Sequence, residues 1–247
     1  MILPDRRDAI HKAWLYRVLT AISDDNELAC HLLFKGGTCA AMRGVLNRFS
    51  VDLDFDFKGG TTEMDIACKQ LEGIFDNLGL TVKTGSSQVP QYFLKYPNNR
   101  PNERNTLKVG FFVPPPDSNK YEKVRMDDID RILTCQTVPT IFANKLVALM
   151  DRYEKSGGIA GRDLYDINYF FLNGFSYERD VVKERRNIGS TKQYLEESVC
   201  FIEEHITQRV IDQDLNVLLT PSSFRAVRKT LKRETILFLK DEIQRSE

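Results

Sequence analysis

Polar and apolar residues alternate strictly from Ser50 to Phe57. An alternation of period two is typical of a half-buried β-strand, in which successive side chains point to opposite faces. Ser50, Asp52, Asp54 and Asp56 therefore share one face, and the apolar residues between them fill the other. Three carboxylates in one row raise one another's pKa by mutual repulsion. The pattern predicts a strand that packs its apolar face in the core and has a positive charge near its acidic face.

The residues upstream predict a second strand that leads into a helix. Residues 32–34 form a short apolar run, and Gly36 and Gly37 follow it as a tight turn. A helix is predicted from Thr38 to Leu46, with the threonine as its N-cap. A helix that begins after two glycines offers free backbone N–H groups and the positive end of its dipole, and both attract phosphate.

The acidic strand adds a preference for a hard metal ion to this predicted phosphate site. Mg2+ binds proteins through one or two carboxylates and completes its coordination with substrate phosphates. Asp52 and Asp54 provide such carboxylates on one face of the strand. The strand, the two glycines, the helix and the acidic strand together indicate a site for a nucleoside triphosphate and its Mg2+, with Mn2+ as an alternative ion.

The rest of the chain alternates first between helices and strands and then becomes helical. Apolar spacing and turn residues predict helices over 5–22, 61–77, 138–153 and 162–172, strands over 80–83, 91–96 and 106–113, and C-terminal helices over 177–187, 191–205 and 222–244. This order of elements predicts an α+β protein whose mixed sheet, flanked by helices, is followed by a C-terminal helical bundle.

Composition excludes several classes of protein. The 247 residues include 35 basic and 35 acidic side chains, so no global basic field attracts nucleic acid. Five cysteines without a C-x-x-C pair indicate reduced thiols in a cytoplasmic protein, and no apolar run predicts a membrane span. Any RNA contact must therefore be local. A row of cations in the last predicted helix is either such a contact or a solvated face; it comprises Arg225, Arg228, Lys229 and Lys232.

Four motifs in order resemble the DNA polymerase β-like nucleotidyltransferase superfamily, and within it the AbiEii/AbiGii toxin family of type IV toxin–antitoxin systems. The first two are Gly36-Gly37-Thr38 and Arg48-x-Ser50-x-Asp52-x-Asp54. A helix with Lys145 is similar to the lysine-bearing helix of the family, and Arg162-Asp163-x-x-Asp166 is similar to its Arg-Asp-x-x-Asp motif. The resemblance covers about residues 32–171.

This resemblance implies a polymerase β-like core over residues 1–136 and a helical domain over 137–247 that contains the Lys145 and Arg162 motifs. The implied reaction moves a nucleoside monophosphate from a nucleoside triphosphate to an acceptor hydroxyl. An RNA acceptor, such as a tRNA 3′ end, and a separately encoded antitoxin are the implied partners. Transfer to a small molecule or a protein, and nucleotide binding without transfer, are the alternatives.

The resemblance also implies a role for each motif residue. Asp52 and Asp54 hold the metal and are catalytic, together with Lys145 and Asp166. Lys145 offsets charge as pyrophosphate leaves. The implied nucleotide-binding set is Gly36, Gly37, Thr38, Arg48, Ser50, Lys145, Arg162 and Asp163. Within this set, Arg48 and Ser50 either position phosphate or brace the acidic strand.

One position departs from the superfamily pattern. Many members have a third catalytic carboxylate on the neighbouring strand, and in this chain Gly110 falls on or beside that position. Asp56 and Asp166 are therefore the candidates for the general base that accepts the proton of the attacking hydroxyl. Lys108, on the same strand, is either a contact for phosphate or the acidic cluster, or a solvated lysine at a sheet edge.

Overall fold

The computed structural model describes residues 1–84, 90–97 and 103–245. The chain forms two compact units. The first consists of Met1–Gly44, Phe49–Pro115 and Lys120–Thr137, and the second of Val45–Arg48, Pro116–Asn119 and Val138–Glu247. A division after residue 136, as expected from the sequence, does not anticipate the two short segments that join the second unit.

The first unit is built on a seven-stranded mixed sheet in the order β3-β4-β5-β2-β1-β7-β6. Neighbouring strands are antiparallel except in the β1–β7 and β2–β5 pairs, which are parallel. The strands are β1 (Leu32–Lys35), β2 (Asp52–Phe57), β3 (Thr81–Thr84), β4 (Gln91–Lys95), β5 (Thr106–Phe112), β6 (Tyr121–Met126) and β7 (Arg131–Gln136). This sheet and the helices around it confirm the predicted α+β class.

Helices cover one face of the sheet because the alternating strands place their apolar side chains there. On the acidic strand β2, Leu53, Phe55 and Phe57 are buried. Leu19 and Ile22 of the first helix line the same small cavity as Phe55, so that helix packs on the apolar face. The helices of this unit are α1 (Ala9–Asp24), α2 (Asn26–His31), α3 (Gly36–Met42) and α4 (Thr61–Asn77), and a 3₁₀ turn (Arg6–Asp8) precedes them.

Helix α3 differs from its prediction at both ends. It begins at Gly36 with Lys35 as N-cap, and it ends at Met42 instead of Leu46. The prediction that Thr38 is the N-cap is wrong, because the Thr38 hydroxyl donates to the main-chain carbonyl of Asp52. This contact ties the first turn of α3 to the start of β2.

The second unit is helical, as predicted. Its helices are α5 (Val138–Ser156), α6 (Gly161–Leu172), α7 (Arg179–Arg186), α8 (Thr191–His205), α9 (Gln208–Leu215), α10 (Pro221–Val227) and α11 (Leu231–Arg245). The sequence did not predict α9, and the long helix expected over 222–244 is interrupted after Val227. In the described part of the chain, no helix is long and apolar enough to cross a membrane.

Candidate active site

Strand β2 lies between β1 and β5 in the sheet, and both neighbours place residues beside its acidic side chains. On β1, Lys35 pairs with Asp54, and on β5, Gly110 also pairs with Asp54. Lys108 of β5 pairs with Asp52. Register partners point to the same side of a sheet, so these five residues share one face. Strand β5 therefore places a lysine and a glycine beside the two carboxylates.

Asp54 is half-buried, and its side chain has no partner among the described residues. Its half-buried carboxylate makes no hydrogen bond or ion pair with any residue in the described ranges. A β-carbon on Gly36 would lie 3.0 Å from Asp54 Oδ2, and one on Gly110 would lie 3.3 Å from Oδ1. Two glycines thus let this carboxylate, which forms no ion pair with a described residue, lie close to the main chain on both sides. This cradle is the central feature of the site.

Replacing Gly36 by alanine tests the cradle. The φ angle of Gly36 is +78°, a region that costs an L-residue about 1–2 kcal/mol, and the new methyl group would push against the Asp54 carboxylate. We expect a comparable loss in the free energy of unfolding, measured by urea denaturation, and a fall in nucleotidyl-transfer rate. Gly79→Ala is the matched control, because Gly79 has a φ of +68° and no atom near its β-carbon position. Equal transfer rates for Gly36→Ala and Gly79→Ala would contradict the placement of Gly36 in the active site.

Asp56, the third acid of the row, is fully buried and neutralised. Lys35 Nζ lies 2.7 Å from its Oδ1, and Oδ2 accepts hydrogen bonds from the Tyr121 hydroxyl (2.8 Å) and the Gln136 amide (2.6 Å). The predicted positive charge beside the acidic row is therefore Lys35. Sequence reasoning missed these three partners, although Lys35 directly precedes the Gly36-Gly37 pair and pairing of β1 with β2 would place it beside the acids.

The two hydroxyl residues of the predicted nucleotide set brace the strand. Ser50 is buried, and its Oγ lies 2.9 Å from Thr38 Oγ1. Thr38 in turn holds the main-chain carbonyl of Asp52. Of the two roles weighed for Ser50, these contacts favour bracing of the acidic strand.

A second charged cluster lies within the helical unit. Arg48 Nε and Nη2 donate to the two carboxylate oxygens of Asp166 at 2.5 and 2.7 Å. Lys145 Nζ lies 2.8 Å from Asp166 Oδ2 and 3.5 Å from Asp163 Oδ1, and Arg152 also pairs with Asp163. The Arg48 and Asp166 side chains are 3% and 0% exposed.

Burial and charge act in opposite directions on Asp166. Burial would raise the pKa of its carboxyl, but the positive charges of Arg48 and Lys145 and their hydrogen bonds outweigh it and hold the pKa below its ordinary value. Asp166 is therefore a buried carboxylate with two cationic partners. These contacts favour a role in fixing Arg48 and Lys145, and they oppose the predicted role as general base, since a base must reach the proton it accepts.

Arg162 differs from the other charged residues near it. Its main-chain N–H donates to Asp214, while its half-buried guanidinium makes no hydrogen bond or ion pair with the residues that the structure describes. A free guanidinium is suited to bind phosphate in two-point fashion. Binding of nucleotide phosphate by Arg162 therefore stays a prediction with which these contacts agree.

The predicted basic row of the C-terminal helices is partly used inside the protein. The Arg228 guanidinium forms an ion pair with Asp212. Lys232 Nζ donates to the main-chain carbonyls of Glu203 (3.0 Å) and Ile206 (2.8 Å), which closes the end of α8. Two of the four cations therefore stabilise the fold, and the row as a whole gives no support for RNA binding.

The donor set on β2 fits a magnesium ion. Carboxylates are hard oxygen ligands, and Asp52 and Asp54 lie on one face of β2. No group of three or more His, Cys, Asp or Glu side chains among the described residues is arranged to hold a metal. Mg2+ sites in nucleotide enzymes use one or two carboxylates and complete the coordination with phosphate oxygens of the substrate.

Two solved structures have the same fold as this chain. One is a Helicobacter pylori protein described as a candidate nucleotidyltransferase; it is 16% identical, with a TM-score of 0.59 over 98% of this chain and 99% of that one. The other is JHP933 from Helicobacter pylori, which is 18% identical, with a TM-score of 0.55 over 99% of this chain and 97% of that one. Both likenesses extend over nearly the whole of each chain, so this chain has the fold of these two proteins.

The family follows from the sequence of nearly the whole chain. Residues 17–236 match the family model described as the nucleotidyl transferase AbiEii toxin of type IV toxin–antitoxin systems, so the chain belongs to the AbiEii family. This confirms the resemblance drawn from the four motifs, and it makes the protein a nucleotidyltransferase with a nucleoside triphosphate substrate and an antitoxin partner. No curated protein matches the chain.

Proposed function

We propose that this protein is a Mg2+-dependent toxin that transfers a nucleoside monophosphate to a hydroxyl group of RNA, at the 3′ end of a tRNA. The observation that supports the proposal most is the Asp54 carboxylate, which has no described partner and lies between Gly36 and Gly110 beside Asp52. A half-buried carboxylate that forms no ion pair with a described residue, in a row of three acids, is stabilised when a cation binds beside it.

In the proposed reaction the oxygen of the acceptor hydroxyl bonds to the α-phosphorus of the triphosphate. The bond from that phosphorus to the bridging oxygen breaks, pyrophosphate leaves, and the hydroxyl proton passes to solvent water. Asp52 and Asp54 would hold the metal, and the main chain at Gly36 and Gly37 would contact phosphate oxygens. When bound, Mg2+ would neutralise triphosphate charge and favour the deprotonated acceptor.

The remaining motif residues are assigned from their contacts. Thr38 and Ser50 fix the start of β2. Asp166 and Asp163 orient Lys145, and Arg48 braces Asp166. Arg162 and Lys145 are proposed to bind phosphate. Asp56 and Asp166 are both 0% exposed and fully engaged, so the proposal gives them positioning roles in place of the predicted role as base.

The decisive experiment is transfer of label from each of the four triphosphates, labelled at the α-phosphate. The full-length protein is incubated with Mg2+ and one of three acceptor fractions: total RNA, cell protein, or small hydroxyl compounds. Label in tRNA is the expected result. Label in protein or small molecules would replace the RNA acceptor by one of the alternatives, and no label in any fraction would contradict transfer. Removal of Mg2+ with a chelator should prevent formation of the labelled product.

A further inference from the structure

We propose that Phe93 and Lys108 form a nucleotide subsite in which the ring of Phe93 stacks on a base and the ammonium group of Lys108 binds that nucleotide's phosphate. The inference rests on the proposed function and deepens it. It concerns one row of the sheet, in which Phe93 of β4 pairs with Lys108 of β5 and Lys108 pairs with Asp52 of β2.

The row places an aromatic ring, a cation and a metal-binding carboxylate side by side. Register partners on neighbouring strands point to the same face, and neighbouring strands are about 4.8 Å apart. The main chain of Phe93 is therefore about 10 Å from that of Asp52, two strand spacings, with Lys108 between them. A single nucleotide bridges such a distance from its base to its phosphate.

Strand β4 turns Phe93 away from the helices. Tyr92 and Leu94 are buried, and Tyr92 packs edge-on against Phe75 and Phe111. Phe93, between them, points to the acidic face and is half-buried. Its ring contacts no aromatic ring or cation in the part of the chain that is described. An aromatic ring on the substrate side of a strand, without a stacking partner, is the kind of platform on which single-stranded bases stack.

Lys108 is one strand away from the carboxylates of Asp52 and Asp54, and it forms an ion pair with neither. Its side chain is half-buried, and it forms no hydrogen bond or ion pair with any described residue. Lys95, the next residue outward on the same face of β4, is exposed and also has no described partner. Lys108 lies across from Phe93 on β5, and Lys95 lies two residues beyond it on β4. Phosphate is the anion that this combination of an aromatic ring and positive charge selects.

A nucleotide at this subsite has two sources. It is either the incoming triphosphate or the terminal nucleotide of the RNA acceptor. Both offer a base and a phosphate, so the experiment measures them separately. Binding of ATP, CTP, GTP and UTP is measured with Mg2+ and without acceptor, and binding of a short single-stranded RNA is measured without triphosphate.

Three variants and one control define the test. Phe93→Leu removes the aromatic face and keeps an apolar side chain, Phe93→Trp keeps the face, and Lys108→Gln removes the charge. Lys123→Gln is the matched control, because Lys123 is on β6, on the same face of the sheet, and has no described partner. Thermal unfolding of each variant confirms that it is folded.

We expect Phe93→Leu and Lys108→Gln to weaken the binding of the same ligand, either the triphosphate or the RNA, about tenfold each. For Phe93→Leu this is within the range measured for loss of base stacking. Phe93→Trp should bind that ligand as the wild type does, and Lys123→Gln should change neither. The ligand that is weakened identifies the source. If both ligands bind Phe93→Leu and Lys108→Gln normally while Asp54→Asn abolishes transfer, the subsite is refuted and the proposed function stands. Normal transfer by Asp54→Asn would instead refute the proposed function.

Discussion

Asp54→Asn is expected to lower the rate of nucleotidyl transfer by about two to four orders of magnitude while the protein remains folded. The substitution keeps the size of the side chain and removes the charge that would hold the metal. A bound metal contributes several kcal/mol to stabilisation of a transition state of this kind, and each 1.36 kcal/mol is a factor of ten in rate. Single-turnover transfer of labelled nucleotide at saturating Mg2+ measures the effect.

The same substitution should not destabilise the fold. Asp54 makes no hydrogen bond or ion pair with a described residue, so asparagine leaves no described partner unsatisfied. Removal of its charge also relieves repulsion from Asp52. We expect a free energy of unfolding equal to that of the wild type or slightly higher in the absence of metal. Stabilisation of the wild type by Mg2+ and triphosphate, read as a shift in Tm, should be lost in the variant.

Asp65→Asn is the control for the charge change. Asp65 is exposed on α4 and has no described side-chain partner. Its substitution changes the net charge by the same amount and should leave the transfer rate unchanged. A folded Asp54→Asn protein with the wild-type rate would show that the metal is not held on β2.

The acidic strand was predictable because its signal is local. Alternation of period two fixes which side chains share a face, and the face that is apolar must be buried. The register of β1 against β2 is not local. Lys35 neutralises Asp56 across that pair, and the sequence treats the two residues as 21 positions apart. Asp56 therefore looked like a free acid, and the structure shows a buried, fully paired one.

Strands β6 and β7 escaped prediction because their residues do not alternate clearly. Most of the side chains in this hairpin are exposed or half-buried, so no apolar face distinguishes it from a loop. The turn between the two strands comprises residues 127–130, and Asp130 has a φ of +52° there. Without these two strands, the contacts of Tyr121 and Gln136 with Asp56 could not be foreseen.

The C-terminal helices show the same limit. Residues 222–244 have a continuous helical pattern, yet α10 ends at Val227 and α11 begins at Leu231. At the break, the main-chain carbonyl of Arg228 accepts a hydrogen bond from the Gln208 side chain, 20 residues away. Because a distant side chain satisfies that carbonyl, the helix can stop there without a glycine or proline that would have signalled the break.

Asp166→Asn is expected to lower the free energy of unfolding by about 3–5 kcal/mol. The Arg48 side chain is 3% exposed, and both of its hydrogen bonds to Asp166 end on carboxylate oxygens. Without that negative charge, a buried guanidinium loses its counter-ion, and breaking a buried pair by removing one partner has a cost of this size. Urea denaturation monitored by circular dichroism measures the loss.

A surface pair in the same unit gives the matched comparison. Asp212 pairs with Arg228, and these side chains are 28% and 35% exposed. Exposed ion pairs contribute about 0–1 kcal/mol, so Asp212→Asn should have a small effect. A loss below 1 kcal/mol for Asp166→Asn would show that the pair with Arg48 is not a structural requirement.

The pH dependence of stability provides an independent check. The folded-state pKa of Asp166 is below its ordinary value of 3.8. Its contribution to stability is therefore fully present above that value and is lost as the pH falls through the lower, folded-state pKa. The stability difference between wild type and Asp166→Asn should be constant from neutral pH down to about pH 5 and should narrow below about pH 4.

Activity measured on the folded fraction separates the two roles of Asp166. If Asp166 fixes Arg48 and Lys145, the transfer rate per folded molecule should fall less in Asp166→Asn than in Asp54→Asn. The total rate of Asp166→Asn should then increase as a lower temperature raises its folded fraction. If Asp166 is the general base predicted from the motif, the fully folded variant should be as inactive as Asp54→Asn. The double replacement Arg48→Met with Asp166→Leu removes both charges, so it should regain much of the stability lost in Asp166→Asn.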